Sequence, residues 1–342
     1  MNNIKSVIIS DPTLRDGNHA VRHQLKKTHY SAYCSAAESA GVPMVEVGHG
    51  NGLGASSMLV GESSLDDRTI LEIARAHLSE SKLSIHVIPG FATINRDLRL
   101  AIDIGVDLFR IGSHCTEADI TQRHIGFVRD SGRMAHGVLM MSHMAEPQVL
   151  VEEALKMESY GAEGIVIMDS AGAYLPEDVT RRITDLVSAI SIPVGFHAHN
   201  NLGMAIANSV AAVRAGATII DGSARGFGAG AGNAQLEVII AVFEKLGFHT
   251  GIDLYKILDA ADLAEKEFIT SLPSISSVSV VSGLAGVFSG FTRHVNQISA
   301  EHGVDPRDIF FELGKRKVVA GQESLILEVA LELASNGVKA SA

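Results

Sequence analysis

Two histidines one residue apart, His197 and His199, are the sharpest chemical feature of this 342-residue chain. On an extended segment residues i and i+2 point to the same side, so both imidazoles could face one space together. Neutral imidazole nitrogens suit Mn, Zn, Fe or Co, and a nearby carboxylate would complete half of an octahedral shell. The competing reading is a pair of histidines satisfied by hydrogen bonds in the structure around them. Arg15-Asp16 makes a second unit. Its carboxylate can bind a hard cation while the adjacent guanidinium reaches a substrate carboxylate or carbonyl oxygen. Taken alone, such a dipeptide is more often an ion pair on a surface loop. His19 and His23 follow on the same stretch. Either could be a general base, since an ordinary imidazole titrates near pH ~6.5, and either could be tied to loop backbone instead. Gly226-Phe-Gly-Ala-Gly-Ala-Gly-Asn233 alternates glycines, but its spacing fits neither a P-loop nor GxGxxG. We read it as tight backbone packing in preference to a phosphate cradle.

These residues need a scaffold that brings distant positions together. Short apolar runs recur along the chain, at Val7–Ser10, Met44–Val47, Ile85–Ile88, Leu108–Ile111, His136–Met140, Gly164–Met168, Val194–Phe196 and Thr218–Ile220. Between them lie amphipathic stretches such as Thr28–Ala40, Leu98–Ile104, Val149–Tyr160, Pro176–Ala189 and Leu202–Ala215. Eight buried-type strands alternating with helices predict an α/β fold, a parallel (β/α)8 TIM barrel, over an open doubly wound sheet. In such barrels the working residues sit at the C-terminal ends of the strands. Polar residues stand at or just after those ends: Asp11 to His19, Glu46 and His49, Ser142 and His143, Asp169-Ser170, His197 to Asn200, and Asp221. The barrel should end near Leu246 after ~240 residues. Residues 1–250 are therefore expected to form the catalytic barrel, and 251–342 a mainly helical C-terminal domain. Ile252–Glu267 and Gln322–Ala334 read as its helices, with a Ser/Val-rich run, Ser271–Ser282, between them.

Composition narrows the functional classes. A formal net charge of −11 disfavours nucleic acid, whose phosphates need clustered Lys and Arg; Lys26–Lys27, Arg181–Arg182 and Lys315–Arg316–Lys317 are short and scattered. An anionic substrate would need a local cation, either a metal or one placed arginine. Cys34 and Cys115 lie far apart and outside any CxxC, which predicts a reducing compartment and no disulfide framework. No run approaches ~20 apolar residues and the N-terminus lacks a signal-peptide pattern, so a cytoplasmic protein without membrane contact is expected.

The run Asp11-Pro-Thr-Leu-Arg-Asp-Gly-Asn-His-Ala-Val-Arg-His-Gln24, together with His197-Ala-His199, resembles the DRE-TIM metallolyases. Within them the chain is similar to the 4-hydroxy-2-oxovalerate aldolases along nearly its whole length. His49-Gly-Asn-Gly-Leu53, Ser113 to Asp119, Leu139 to Met144, Gly228 to Ala234 and Gly321-Gln-Glu323 all carry the likeness. The resemblance implies a class II pyruvate aldolase, a carbon–carbon lyase that splits 4-hydroxy-2-oxo acids into pyruvate and an acetaldehyde-like aldehyde. It implies that Asp16, His197 and His199 hold a divalent metal, usually Mn²⁺ with Co²⁺ or Mg²⁺ as substitutes. Arg15 would steady the 2-oxo acid and its enolate, Ser170 would help position the substrate, and His19 would accept the proton. An acylating acetaldehyde dehydrogenase is the implied partner, docked on the region after Gly251. The chemistry is coherent without the family: a retro-aldol step needs a base for the C4 hydroxyl and an electron sink at the 2-oxo group. No lysine stands out for a Schiff base, which favours the metal route.

Two positions depart from the family pattern. Gly286-Val287-Phe288-Ser289 carries phenylalanine where the family has tyrosine, and Ala320 replaces a glycine that we expect to be lined by backbone. A missing phenol at Phe288 removes a hydrogen bond worth ~1 kcal/mol and bears on which aldehyde is used. Alternative readings are a biosynthetic aldolase joining pyruvate or 2-oxobutyrate to a bulkier aldehyde, and a non-catalytic subunit that stabilises the dehydrogenase. The intact set of Asp16, His19, His197 and His199 argues against the second.

Overall fold

The computed structural model describes residues 6–340. Eight strands form: β1 (Ile8–Leu14), β2 (Met44–Val47), β3 (Lys82–Val87), β4 (Leu108–His114), β5 (Met134–Met140), β6 (Ile165–Asp169), β7 (Val194–Ala198) and β8 (Ile219–Asp221). Each pairs in parallel with the next, and β8 pairs with β1, so the sheet closes into the expected barrel. Parallel neighbours need crossovers, which are usually helical. They are supplied by α1 (Lys27–Ala40), α2 (Asp67–His77), α3 (Arg99–Ile104), α4 (Gln122–Asp130), α5 (Pro147–Ser159), α6 (Pro176–Ala189) and α7 (Ala205–Arg214), while α8 (Leu236–Lys245) follows β8.

The main core lies between strands and helices. Ile9, Val45, Phe109, Ile167, Phe196 and Ile220 are all buried in it. The barrel interior is different. Arg110 on β4 reaches Ser10 on β1, Glu46 on β2 and Asp221 on β8, contacts available only across the inside of a closed sheet. Barrels usually fill this space with branched apolar side chains; here much of it is charged.

Several strands run past the expected limits, and at β1 and β7 the physical reason is clear. β1 continues to Leu14 because its polar residues are satisfied in place: the Thr13 N–H and the Tyr33 hydroxyl both donate to the Asp11 carboxylate, at 2.9 and 2.7 Å. β7 stops at Ala198, yet His199 stays extended through a bridge to Asn233 in the loop after β8.

Beyond α8 comes α9 (Leu254–Glu267), capped by the Asp253 carboxylate. Its buried face of Ile257, Ala260, Ala261 and Ala264 belongs to the barrel core, although the expected boundary at residue 250 grouped this helix with the C-terminal region. A separate core begins later. It is enclosed by α10 (Ser277–Ala285), α11 (Thr292–His302), α12 (Pro306–Lys315) and α13 (Ser324–Ala340), around Val287, Phe291, Val295, Phe310, Leu313 and Val329. The Ser/Val-rich run thus ends in a helix, started by the Ser276 hydroxyl accepting from the Ser279 N–H. Among the described residues no helix is long and apolar enough to cross a membrane.

Candidate active site

The C-terminal end of the barrel brings Asp16, His197 and His199 together, with one candidate ligand atom from each lying within 4.8 Å of the others. All three side chains are buried. His197 donates from Nδ1 to Asp221 Oδ2 at 2.9 Å, which leaves its Nε2 as a bare lone pair. His199 Nδ1 is likewise buried with no partner. Buried polar atoms are normally satisfied, so two bare imidazole nitrogens beside a carboxylate fit a divalent cation of the Mn, Co or Zn type. A carboxylate behind the ligating histidine is the usual device for fixing its tautomer.

Asp16 is clamped from both sides. Arg15 Nη1 donates to Oδ1 at 2.7 Å, and Asn233 Nδ2 donates to Oδ2 at 2.7 Å. Burial alone would raise the Asp16 carboxyl, but Arg15 and the surrounding histidines hold it well below the usual carboxylate range. Arg15 continues the chain of charges. Its Nε donates to Glu46, Glu46 Oε2 accepts from Arg110 at 2.9 Å, and Arg110 Nη2 donates to Asp221 at 2.6 Å. Burial would raise Glu46 as well, yet Arg110 and Arg15 pull it down to about 2. Arg15 Nη2 remains buried without an acceptor, which leaves one charged donor available for a bound molecule.

His19 and His23, open alternatives in the sequence, separate in the structure. His23 accepts from the Gly50 N–H through Nδ1 and stacks on His49 at 3.6 Å between ring centroids. Burial, with His19 and His49 alongside, pushes it down to about 2. His49 is tied too, between the Asn51 N–H and the Gly61 carbonyl. These two rings pin the loop after β2. His19 is half-buried and lines a cavity of about 460 Å³ together with Asn51, Phe227, Gly228, Phe288 and Arg293. Its ring lies over Gly50, where a Cβ would come within 2.6 Å of Nε2. Burial lowers its pKa against the pull of Asp16, which favours the neutral imidazole that a base requires.

The glycine-rich segment packs as backbone. A Cβ at Gly228 would fall 2.5 Å from Asp16 Oδ2, and the Ala229 N–H approaches the same oxygen at 3.3 Å. The segment therefore forms the wall joining cavity and ligand cluster. Ser170 Oγ accepts from the Met141 N–H at 3.0 Å, keeping its own O–H free to donate. Phe288 is half-buried at the cavity, edge-on to Phe291. Ala320 is exposed, so its methyl meets no backbone wall, contrary to expectation.

Sequence reasoning missed Arg110 and Asn233, and noted Glu46 and Asp221 without giving them roles. Arg110 offered one signal, a charge in the middle of the apolar run Leu108–Ile111. Asn233 was quoted within the glycine segment, but nothing local links it to Asp16, 217 residues away.

A family model described as HMGL-like matches residues 6–264, and one described as DmpG-like communication domain matches residues 273–335. The chain is 68% identical to a 4-hydroxy-2-oxovalerate aldolase of Pectobacterium atrosepticum over 96% of each chain. It is 64% identical to one of Spirochaeta aurantia over 98% of each. Among solved structures it is similar to the carboxyl transferase domain of Rhizobium etli pyruvate carboxylase, with a TM-score of 0.82, 16% identity, and coverage of 98% of this chain and 61% of that one. That last likeness is one of fold alone. The closed barrel with its buried Asp-His-His cluster coincides with the first matched stretch, and the second helical core with the other: the chain belongs to the HMGL-like family and, within it, to the 4-hydroxy-2-oxovalerate aldolases.

Proposed function

We propose that this chain catalyses the reversible, divalent-metal-dependent cleavage of a 4-hydroxy-2-oxo acid to pyruvate and an aldehyde. One observation carries the reading: the buried Asp16-His197-His199 cluster, with two unpartnered imidazole nitrogens and an arginine with a free donor beside it, lies behind Gly228 and Ala229 from a cavity lined by His19. Asp16, His197 and His199 would hold the cation, with Mn²⁺ the expected ion and Co²⁺ or Mg²⁺ as substitutes. When bound, it would supply Lewis acidity that polarises the C2 carbonyl of the 2-oxo acid.

The protein's own groups do the rest. His19, neutral, accepts the C4 hydroxyl proton as the C3–C4 bond breaks. The bond's electrons pass to the C2 oxygen, and the aldehyde leaves. Arg15 Nη2 donates to the oxygen that gains charge. Returning a proton to C3 yields pyruvate. Charge balance supports binding of a 2-oxo acid. Asp16, Glu46 and Asp221 face Arg15 and Arg110, which leaves one net negative charge. A divalent cation reverses that sign, and a monoanionic acid then neutralises the site. Ser170, with a free hydroxyl proton, would help position the substrate, and Phe288 would form the apolar wall behind the aldehyde.

A cavity of about 460 Å³ is roomy for acetaldehyde, and Phe288 offers no hydroxyl to orient a small carbonyl. Both favour, as a second reading, a bulkier aldehyde joined to pyruvate or 2-oxobutyrate. The match of residues 273–335 to a communication domain supports docking of an acylating acetaldehyde dehydrogenase there, and Leu284, Phe311, Leu327 and Leu331 stand exposed on that region. Assaying the Mn²⁺-loaded protein against a panel of aldehydes with pyruvate or 2-oxobutyrate tests the reaction. Product with no pair would overturn it. Co-expression with the dehydrogenase and size-exclusion chromatography tests the docking, which two separate peaks would contradict.

A further inference from the structure

We propose that Arg110 is a positioning residue that ties the arginine clamp for the 2-oxo acid to the metal-ligating histidine, so that both binding functions depend on its guanidinium. The inference rests on the metal-site reading given above. Arg110 sits in mid-β4 with 1% of its surface exposed. Its fork reaches Glu46 Oε2 on one side at 2.9 Å and Asp221 Oδ2 on the other at 2.6 Å. Each of these carboxylates then holds one working residue. Glu46 uses its other oxygen to accept from Arg15 Nε. Asp221 uses the same oxygen, Oδ2, for Arg110 and for His197 Nδ1. Arg110 therefore fixes where that shared oxygen lies, and with it the plane of the His197 ring and the aim of its bare Nε2.

Stability alone is a poor reason for such an arrangement. Buried ion networks are often matched or exceeded by well-packed apolar side chains of similar volume, and barrel interiors ordinarily use those. Removing Arg110 would leave Glu46 and Asp221 as buried carboxylates without the cation between them. Glu46, which braces Arg15 Nε, and Asp221, which braces His197 Nδ1, would then no longer be held in position. A lysine could keep the charge, but a single ammonium lacks the planar fork that spans both carboxylates.

The test measures Mn²⁺ affinity by electron paramagnetic resonance of the free ion, and separately the KM for the 2-oxo acid at saturating Mn²⁺. Arg110→Lys and Arg110→Met are compared with wild type, each checked for a cooperative thermal transition. The expected result is Mn²⁺ binding weakened about 10- to 100-fold, the usual range for losing an outer-shell partner, with a rise in KM in the same variant. In an Asp221→Asn background, Arg110→Lys should add little further loss in Mn²⁺ affinity, because Arg110 acts on the metal through Asp221. If Arg110→Met does not fold, Arg110→Lys carries the same comparison. Folded variants with unchanged Mn²⁺ affinity, or losses that simply add to those of Asp221→Asn, would overturn the proposal. A wild-type protein with no Mn²⁺ affinity would overturn the metal-site reading itself.

Discussion

Replacing Gly228 by alanine adds one methyl group where the site has no room for it. An ideal Cβ there would lie 2.5 Å from Asp16 Oδ2 and 2.4 Å from Asn233 Nδ2, whereas ordinary contact begins at 3.4 Å. Something must therefore move by about 1 Å, the shortfall between those distances. The atoms in the way are the Asp16 carboxylate and the Asn233 amide that holds it, so the displacement falls on the proposed metal ligand or on its brace. Metal sites tolerate errors of only ~0.2 Å in ligand distance. Gly228→Ala should therefore lose at least about 100-fold in Mn²⁺ affinity, or ~2.7 kcal/mol, with turnover partly restored by excess Mn²⁺. Gly126→Ala, on α4 with nothing within 4 Å of its added Cβ, is the control and should change neither. Titrating free Mn²⁺ by electron paramagnetic resonance, with a thermal melt to confirm folding, reads the effect. A folded Gly228→Ala protein whose Mn²⁺ affinity stays within about threefold of wild type would refute the reasoning.

His19→Ala should lower kcat by about 10²- to 10⁴-fold with Mn²⁺ binding retained; equal loss of metal would recast His19 as part of the ligand set. Burial lowers the His19 pKa below 6.5, so in wild type kcat/KM should fall on the acid side with a midpoint below that value, and this limb should vanish in His19→Ala. Phe288→Tyr should sharpen facial selectivity with acetaldehyde by up to about tenfold, the equivalent of one hydrogen bond of ~1.4 kcal/mol; unchanged product ratios on chiral analysis would make Phe288 a wall and nothing more. Burial holds His23 at about 2, His86 and His199 at about 3, and His49, His136 and His143 at about 4. The unfolded chain binds protons at 6.5 that the folded chain refuses, so stability is full above that value and lost as pH falls toward the folded values. Each group contributes up to ~1.4 kcal/mol per pH unit in that window. Denaturant melts of metal-free protein at pH 7 and pH 5 should differ steeply, and equal midpoints would contradict the burial argument.

The barrel was legible because eight apolar runs recur between amphipathic stretches, and strands buried on both faces must be apolar nearly throughout. His197, His199 and Asp16 were legible for a related reason: they stand where strands end, and strand alternation places the two imidazoles on one face. Arg110 was not. A lone charge in Leu108–Ile111 looks like an exposed strand position, and only closure of the sheet sets it opposite Glu46 and Asp221. Asn233 was hidden by distance along the chain, since the loop after β8 folds back against β7 through the Asn200 N–H to the Gly232 carbonyl. His19 and His23 have the same side chain on the same loop. The Gly50 N–H on His23 Nδ1 and the stacking of His23 on His49 distinguish the tied ring from the available one. The place of α9 was also out of reach, because an amphipathic helix shows that it has an apolar face but not which core receives it.

Pyruvate release from a 4-hydroxy-2-oxo acid, measured on protein stripped of metal and then titrated with Mn²⁺, decides whether Asp16, His197 and His199 hold a catalytic cation. Negligible release is expected from the stripped protein, with activity that rises to saturation at one Mn²⁺ per chain. His197→Ala and Asp16→Ala should show neither the activity nor the stoichiometric binding. Full pyruvate release by metal-free protein, or by His197→Ala, would contradict it.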